Sequence, residues 1–298
     1  MRDAAAVAAI EKPIGARPTA LGAIGVFARR RPLGALGAAI VLGLALAALL
    51  APIIAPYDPL ETDFLAQLQP PSAAHLLGAD QFGRDVLSRL LYGARTALLV
   101  GFCSAFIGAT LGALLGVCSA YFGGRVDLLL QRVLEIFLSF PLIVLALAVV
   151  AVLGTGIVNV ILAITVSITP QVARVIRASA LQVRAMPFIE SARAVGAGPL
   201  RIMLLHMLPN VLAPYLILLT AFLGQAILLE ASLSFLGLGV AEPTPAWGLM
   251  LRGAGVQFAE RAPWLALAPG LAISITVFGF NVFGDALRDA LDPRLRVV

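Results

Sequence analysis

Lysine is almost missing from this chain of 298 residues: Lys12 is the only one, and Pro13 follows it. A phosphate-binding loop of the Walker type needs a lysine after glycine, with serine or threonine next. The chain therefore supplies no such loop of its own. Charge of either sign is scarce too, at 12% of residues against about a quarter in ordinary soluble chains. The two cysteines, Cys103 and Cys118, fall in one apolar run and leave no disulfide framework to expect. His75 and His206 are the only histidines, and no HExxH, CxxC or GxSxG pattern occurs. No catalytic residue and no metal site are expected.

What is abundant is hydrophobic: 60% of residues, with a mean hydropathy of +0.99. Apolar runs of about 18 residues or more recur, each long enough to cross the roughly 30 Å hydrocarbon core as a helix. A transmembrane β-barrel would show alternating segments of about ten residues instead. The expected class is all-α, a polytopic membrane protein with six transmembrane helices. The net charge of +5 does not indicate nucleic acid, because the basic residues lie between apolar runs, where membrane topology explains them.

Taken in order, residues 1–32 form a basic tail ending in Arg29, Arg30 and Arg31. A first span follows at 33–56, and a polar excursion at 57–95. Within that excursion Asp80/Arg84 and Asp85/Arg89 are two acid-before-base pairs at helical i,i+4 spacing. They predict a short amphipathic helix over 80–92 with Asp80 as N-cap. Two readings stand for it: a solvated helix with surface pairs, or a contact surface on the outer face. The second span is 96–124, where Gly101, Gly108, Gly112 and Gly116 predict close helix packing. Further spans are expected near 133–153 and 157–179, split at Gly154-Thr155-Gly156, then near 210–236 and 264–285. Trp247 and Trp264, in or beside the loop 239–263, suit a membrane–water interface. With the N-terminus inside, the inner segments hold 16 of the 21 Lys and Arg residues and the outer ones 5. That bias puts both termini and the stretch 181–209 in the cytoplasm.

The stretch 181–210 is polar and lies between two membrane-length apolar runs. Pro187 predicts a helix start there, and Glu190 suits the positive end of the helix dipole. Gly196 predicts a left-handed stop. Pro199 opens a second helix, with Leu200, Met203, Leu204 and Met207 as one apolar stripe. Glu190-Ser191-Ala192, then Gly196, then Leu208-Pro209 resembles the "EAA" loop of permease subunits of ATP-binding-cassette importers. Residues 75–95, 230–239 (EASLSFLGLG), 243–248 (PTPAWG) and 280–295 are similar to the second permease of dipeptide, oligopeptide and nickel importers. The resemblance covers most of the chain from the first span onward, leaving the basic tail unmatched. Ser191 departs from the motif's first alanine, and His206 stands where it has isoleucine.

That resemblance implies a MetI-like type I importer permease fold in the cytoplasmic (inner) membrane. It divides the chain into a tail (1–32), a first helix with periplasmic segment (33–95), a permease core of five spans (96–288) and a cytoplasmic end (289–298). Glu190, Ser191, Ala192, Gly196, Pro199, His206 and Pro209 would couple to an ATPase. Asp80, Arg84, Asp85, Arg89 and Trp247 would serve outer-face contact. The implied partners are a second permease, two ATP-binding subunits, an extracytoplasmic solute-binding protein and membrane lipid. ATP and magnesium would be bound by the ATPase subunits and no cofactor by this chain. Peptide is the expected substrate, with nickel or glutathione as alternatives. An ion-coupled transporter using Glu230, with Glu135 and Asp285, is the reading from another class. An intramembrane enzyme is disfavoured, because the topology puts His75 and His206 on opposite sides.

Overall fold

The computed structural model describes residues 31–291, and every regular element in it is helical. The basic tail up to Arg30 and the last seven residues lie outside the described part. The first span, α1 (Pro32–Ile54), has apolar residues all round and buries mainly small ones, Gly34, Gly37, Ala48 and Ala51. A helix with no polar face suits lipid rather than water. It crosses the last helix, α10 (Trp264–Leu291), at two glycines. A Cβ on Gly37 would come within 2.7 Å of the Phe283 backbone, and one on Gly279 within 2.5 Å of Ile40.

Between α1 and the next helix the chain makes only a 3-10 turn, Phe64–Ala66, capped by Asp63. The amphipathic helix expected over 80–92 does not stand alone. Residues up to Asp85 are loop, and α2 runs unbroken over Val86–Phe122. At 1.5 Å per residue it is about 55 Å long, so it projects well beyond a hydrocarbon core. The expected division at 95/96 falls inside it. Its N-cap is Asp85, which accepts from the Ser88 amide, rather than Asp80.

The glycine row on α2 does what its spacing predicts. Cβ atoms at Gly112 and Gly116 would each come within 2.7 Å of carbonyl oxygens of α5 (Ile157–Arg184), Thr169 and Ala173 respectively. Gly101 faces Ile227 instead. The α2–α5 pairing is the most extensive in the fold. Around it Ile164, Ile168, Val172 and Ile176 form the main core.

The span expected near 133–153 is not one straight crossing. An amphipathic helix, α3 (Gly124–Leu138), meets α4 (Leu142–Leu153) at 90°. Pro141 sits at the corner, with no amide to continue the first helix. Among the described residues five helices are long and apolar enough to cross a membrane, and the bent pair, taken as one span, brings the count to six. The break at Gly154-Thr155-Gly156 is present, with Gly154 and Gly156 at φ +87° and +131°.

After α5 come α6 (Pro187–Ala194) and then α7 (Pro199–Arg201). This second helix does not lie apart from the next span. It opens into a π-turn (Ile202–Met207) and a 3-10 turn (Leu208–Val211), then continues as α8 (Leu212–Phe235). Pro209 offers no amide to the carbonyl four residues back, which forces the hydrogen-bond ladder to widen before it. The Leu208 amide accordingly reaches back five residues, to Met203. The wider turn also corrects the expected apolar stripe. Ile202 and Met207, five apart, are fully buried, whereas Leu200 and Leu204 are exposed. A short helix, α9 (Trp247–Met250), and a second π-turn (Leu251–Gly255) precede α10.

Candidate functional site

The helix α6 projects from the end of the bundle where α2 finishes. Its stop is complete: the Gly196 amide donates to the Arg193 carbonyl and the Ala197 amide to the Ala192 carbonyl, at 2.9 and 3.0 Å. Gly196 holds φ +83°, so this is the paired Schellman ending that only a glycine accepts without strain. Ser191 bonds back to the Pro187 carbonyl at 3.1 Å and remains on the helix face.

Three ties root this elbow. Ile189, fully buried, packs into the main core with Ile202, Met207 and Val211. The Arg184 guanidinium donates to the Ala120 carbonyl at 2.8 Å. Arg193 stands over the ring of Tyr121 at 5.2 Å. The outer surface is different: Val195 is 84% exposed and Leu200 65%, with Met186, Phe188 and Leu205 also in the open. Glu190, Gly196, Pro199 and Pro209 are exposed beside them, and His206 is half-buried. The seven elbow residues named from sequence thus lie in one continuous segment of surface helix and turn.

Beside the elbow stands a clamp that sequence reasoning did not find. Arg177 of α5 grips Asp127 of α3 with two hydrogen bonds, 2.6 and 2.5 Å. Ser119 of α2 donates to the same carboxylate, and Gln131 to Ser119. The signal available was an arginine and an aspartate at the edges of otherwise uncharged runs, 50 residues apart.

At the opposite end the five outer-face residues turn inward. Asp80, Arg84, Asp85 and Arg89 are each less than 9% exposed, contrary to surface pairs on a solvated helix. Asp80 accepts from the Phe82 and Arg84 amides and from the Arg84 guanidinium, the last at 2.7 Å. Arg89 does not pair with Asp85; it donates to the Pro59 carbonyl and lies 3.8 Å from Asp80. Asp85 instead takes His75 at 3.0 Å. Buried charges persist only when partners replace water, so the four residues fix the segment 57–85 to the start of α2. Trp247 is 2% exposed rather than interfacial, and its indole donates to the Leu90 carbonyl at 2.9 Å.

The helix ends fall into two groups. Arg31, which bonds the Ala286 carbonyl, lies with the ends of α2 and α5 and the elbow at one end of the bundle. The loops 57–85 and 237–264 lie at the other, where Gly78 closes on Trp264 and Gly239 bonds Gly156. His75 and His206 are therefore far apart. Glu230 is wholly buried; Ser234 donates to one of its oxygens at 2.8 Å, and the other has no partner among the described residues. Glu135 is exposed and paired with Arg132, and Asp285 is exposed. Among the described residues no group of three His, Cys, Asp or Glu could hold a metal.

A bundle of apolar helices with a rooted elbow at one end and pinned loops at the other is the build of a multi-pass membrane protein. The chain belongs to the family of binding-protein-dependent transport system inner membrane components, whose model matches residues 108–297. The N-terminal transmembrane domain of oligopeptide transport permease C matches residues 28–71. The chain is 42% identical over 284 residues to a putative peptide transport system permease protein of Brucella suis, covering 95% of each. It is 41% identical over 268 residues to the dipeptide transport system permease protein DppC of Alkalihalophilus pseudofirmus, covering 90% of this chain and 88% of that one. With the glutathione transport system permease protein GsiD of Escherichia coli it shares 44% over 269 residues, again 90% and 88%.

Proposed function

We propose that this chain is one of two permeases in an ATP-binding-cassette importer for short peptides, and that the elbow 187–201 receives the motion of an ATPase subunit. The observation carrying the coupling role is a surface at odds with its setting. Val195 at the end of α6 and Leu200 on α7 stand open, while Ile189 of α6 is sunk in the core. Exposed apolar patches rimmed by polar groups mark protein contacts. A contact made there moves α2, α5 and α8 together, because all three grip the elbow's root. Glu190, Ser191 and Ala192 present the docking face, while Gly196 and Pro199 fix its angle. His206 and Pro209 join it to α8. Rigid-body motion of this kind switches transporters between inward and outward access.

The remaining partners are a homologous permease beside the spans, a second ATPase subunit, and a solute-binding protein over the loops at the pinned end. ATP and magnesium belong to the ATPase subunits, and this chain performs no chemistry itself. Both termini lie in the cytoplasm, as the arginine bias requires. The names of the relatives favour peptides, glutathione among them as a modified tripeptide, and nickel is the alternative. The ligand of the associated binding protein, measured by calorimetry, decides among these.

Proteoliposomes holding the assembled importer test the coupling. Glu190→Lys and Gly196→Trp are expected to insert normally yet lower ATP-driven uptake about tenfold or more. Uptake at the unaltered rate in both variants overturns the coupling role. The ion-driven reading rests on buried Glu230, but proton pathways use chains of such groups, and among the described residues this carboxylate's one polar partner is Ser234. Uptake should persist when proton and sodium gradients are collapsed; its arrest would favour the ion-driven reading.

A further inference from the structure

An apolar cleft of about 490 Å³ opens between α4, α8, α10 and the second π-turn. Its walls include Ile143, Leu228, Phe235, Leu236, Leu251 and Ile273. Counted along the helices, it extends from the pinned end inward by about 10 Å on α8 (Phe235 to Leu228) and about 13 Å on α10 (Trp264 to Ile273). That depth is close to one leaflet of a hydrocarbon core about 30 Å thick.

Arg252 is not part of this lining but follows Leu251, and Gly237 follows the lining residue Leu236. Its guanidinium lies directly over Gly237, where a Cβ would come within 2.1 Å of Nη1. Gly237, at φ +82°, thus leaves the room that the guanidinium occupies. Arg252 is exposed and makes no hydrogen bond or ion pair among the described residues. The arginines at the same end that are buried, Arg84 and Arg89, both reach Asp80. An acyl-deep apolar slot thus has, close to one end, a cation that no carboxylate among the described residues compensates.

We propose that this cleft holds one acyl chain of an anionic phospholipid from the leaflet at the pinned end, with its phosphate on Arg252. Charge-assisted hydrogen bonding between guanidinium and phosphate supplies headgroup preference, and the slot supplies apolar burial. The assignment rests on the chain's membrane embedding and not on its substrate or its ATPase partner.

The test uses the full chain in lipid nanodiscs with photoactivatable phosphatidylglycerol or phosphatidylcholine, followed by mapping of labelled peptides. Phosphatidylglycerol is expected to label the peptides holding Phe235 and Leu251 about tenfold more than phosphatidylcholine. Arg252→Gln should abolish that preference, Ser232→Trp should block labelling by both lipids, and soluble glycerol phosphate should not compete. The same labelling should survive in the complex with the second permease. Equal labelling by both lipids, competition by glycerol phosphate, or replacement of lipid cross-links by cross-links to the second permease overturns the proposal. The outcome leaves the coupling assay untouched, so the two readings fail separately.

Discussion

At the elbow end the chain leaves large apolar side chains in the open, whereas at the opposite end it draws four charged ones under its loops. Val195 and Leu200 are exposed where water is near, and Asp80, Arg84, Asp85 and Arg89 are buried where the sequence reads as polar loop. The two ends invert the usual distribution for different reasons. Buried charges satisfied by backbone and by one another hold a loop in one geometry, at a desolvation cost. Exposed apolar residues stabilise nothing in the isolated chain and become useful only when a partner covers them. Exposed apolar residues occur at the far end as well, Leu65 at 91% and Phe64 at 68%, so what separates the two ends is the set of buried charges.

That contrast can be broken by substitution. Arg89→Ala leaves Asp80 and the Pro59 carbonyl short of a buried partner and should cost about 3–5 kcal/mol. It is read as early loss of the monodisperse peak after heating in detergent, and an unchanged profile would remove the rigid-end argument. Ile189→Ala should cost about 2–4 kcal/mol, concentrated at the elbow. Amide exchange should accelerate in 187–197 while the glycine-packed part of α2 and α5 stays protected. Arg193→Ala removes only the contact over Tyr121, worth about 0.5–1 kcal/mol, and should loosen α6 without altering expression. The smallest stability effect belongs to Val195→Ser, within about 0.5 kcal/mol. Under the proposed coupling it should nonetheless weaken ATPase capture in a pull-down, and equal capture would show that the exposed ridge is not the docking face.

Legibility differed sharply between short-range and long-range features. Pro187, Gly196 and the Gly154-Thr155-Gly156 break were readable because turn chemistry depends on the residue itself. The glycine row on α2 was readable because its spacing matches one helix face. The corner at Pro141 was harder: the run is apolar on both sides of it, and hydropathy carries no direction. The stripe expected from Leu200 to Met207 failed because the pattern assumed 3.6 residues per turn, and Pro209 widened the turn. Asp80 and Asp85 were at the right spacing for helix pairs, but the same spacing served a loop and a cap. The Arg177–Asp127 clamp required knowing that α3 folds back beside α5.

Composition and hydrophobic run length alone established an all-helical membrane chain without a nucleotide-binding loop, since the cost of charge in lipid acts on each segment separately. Which charges are buried, where the elbow is rooted and which arginine lies over Gly237 without a carboxylate partner were decided by tertiary structure. Those depend on contacts between segments tens of residues apart, and no local pattern encodes the distance between them.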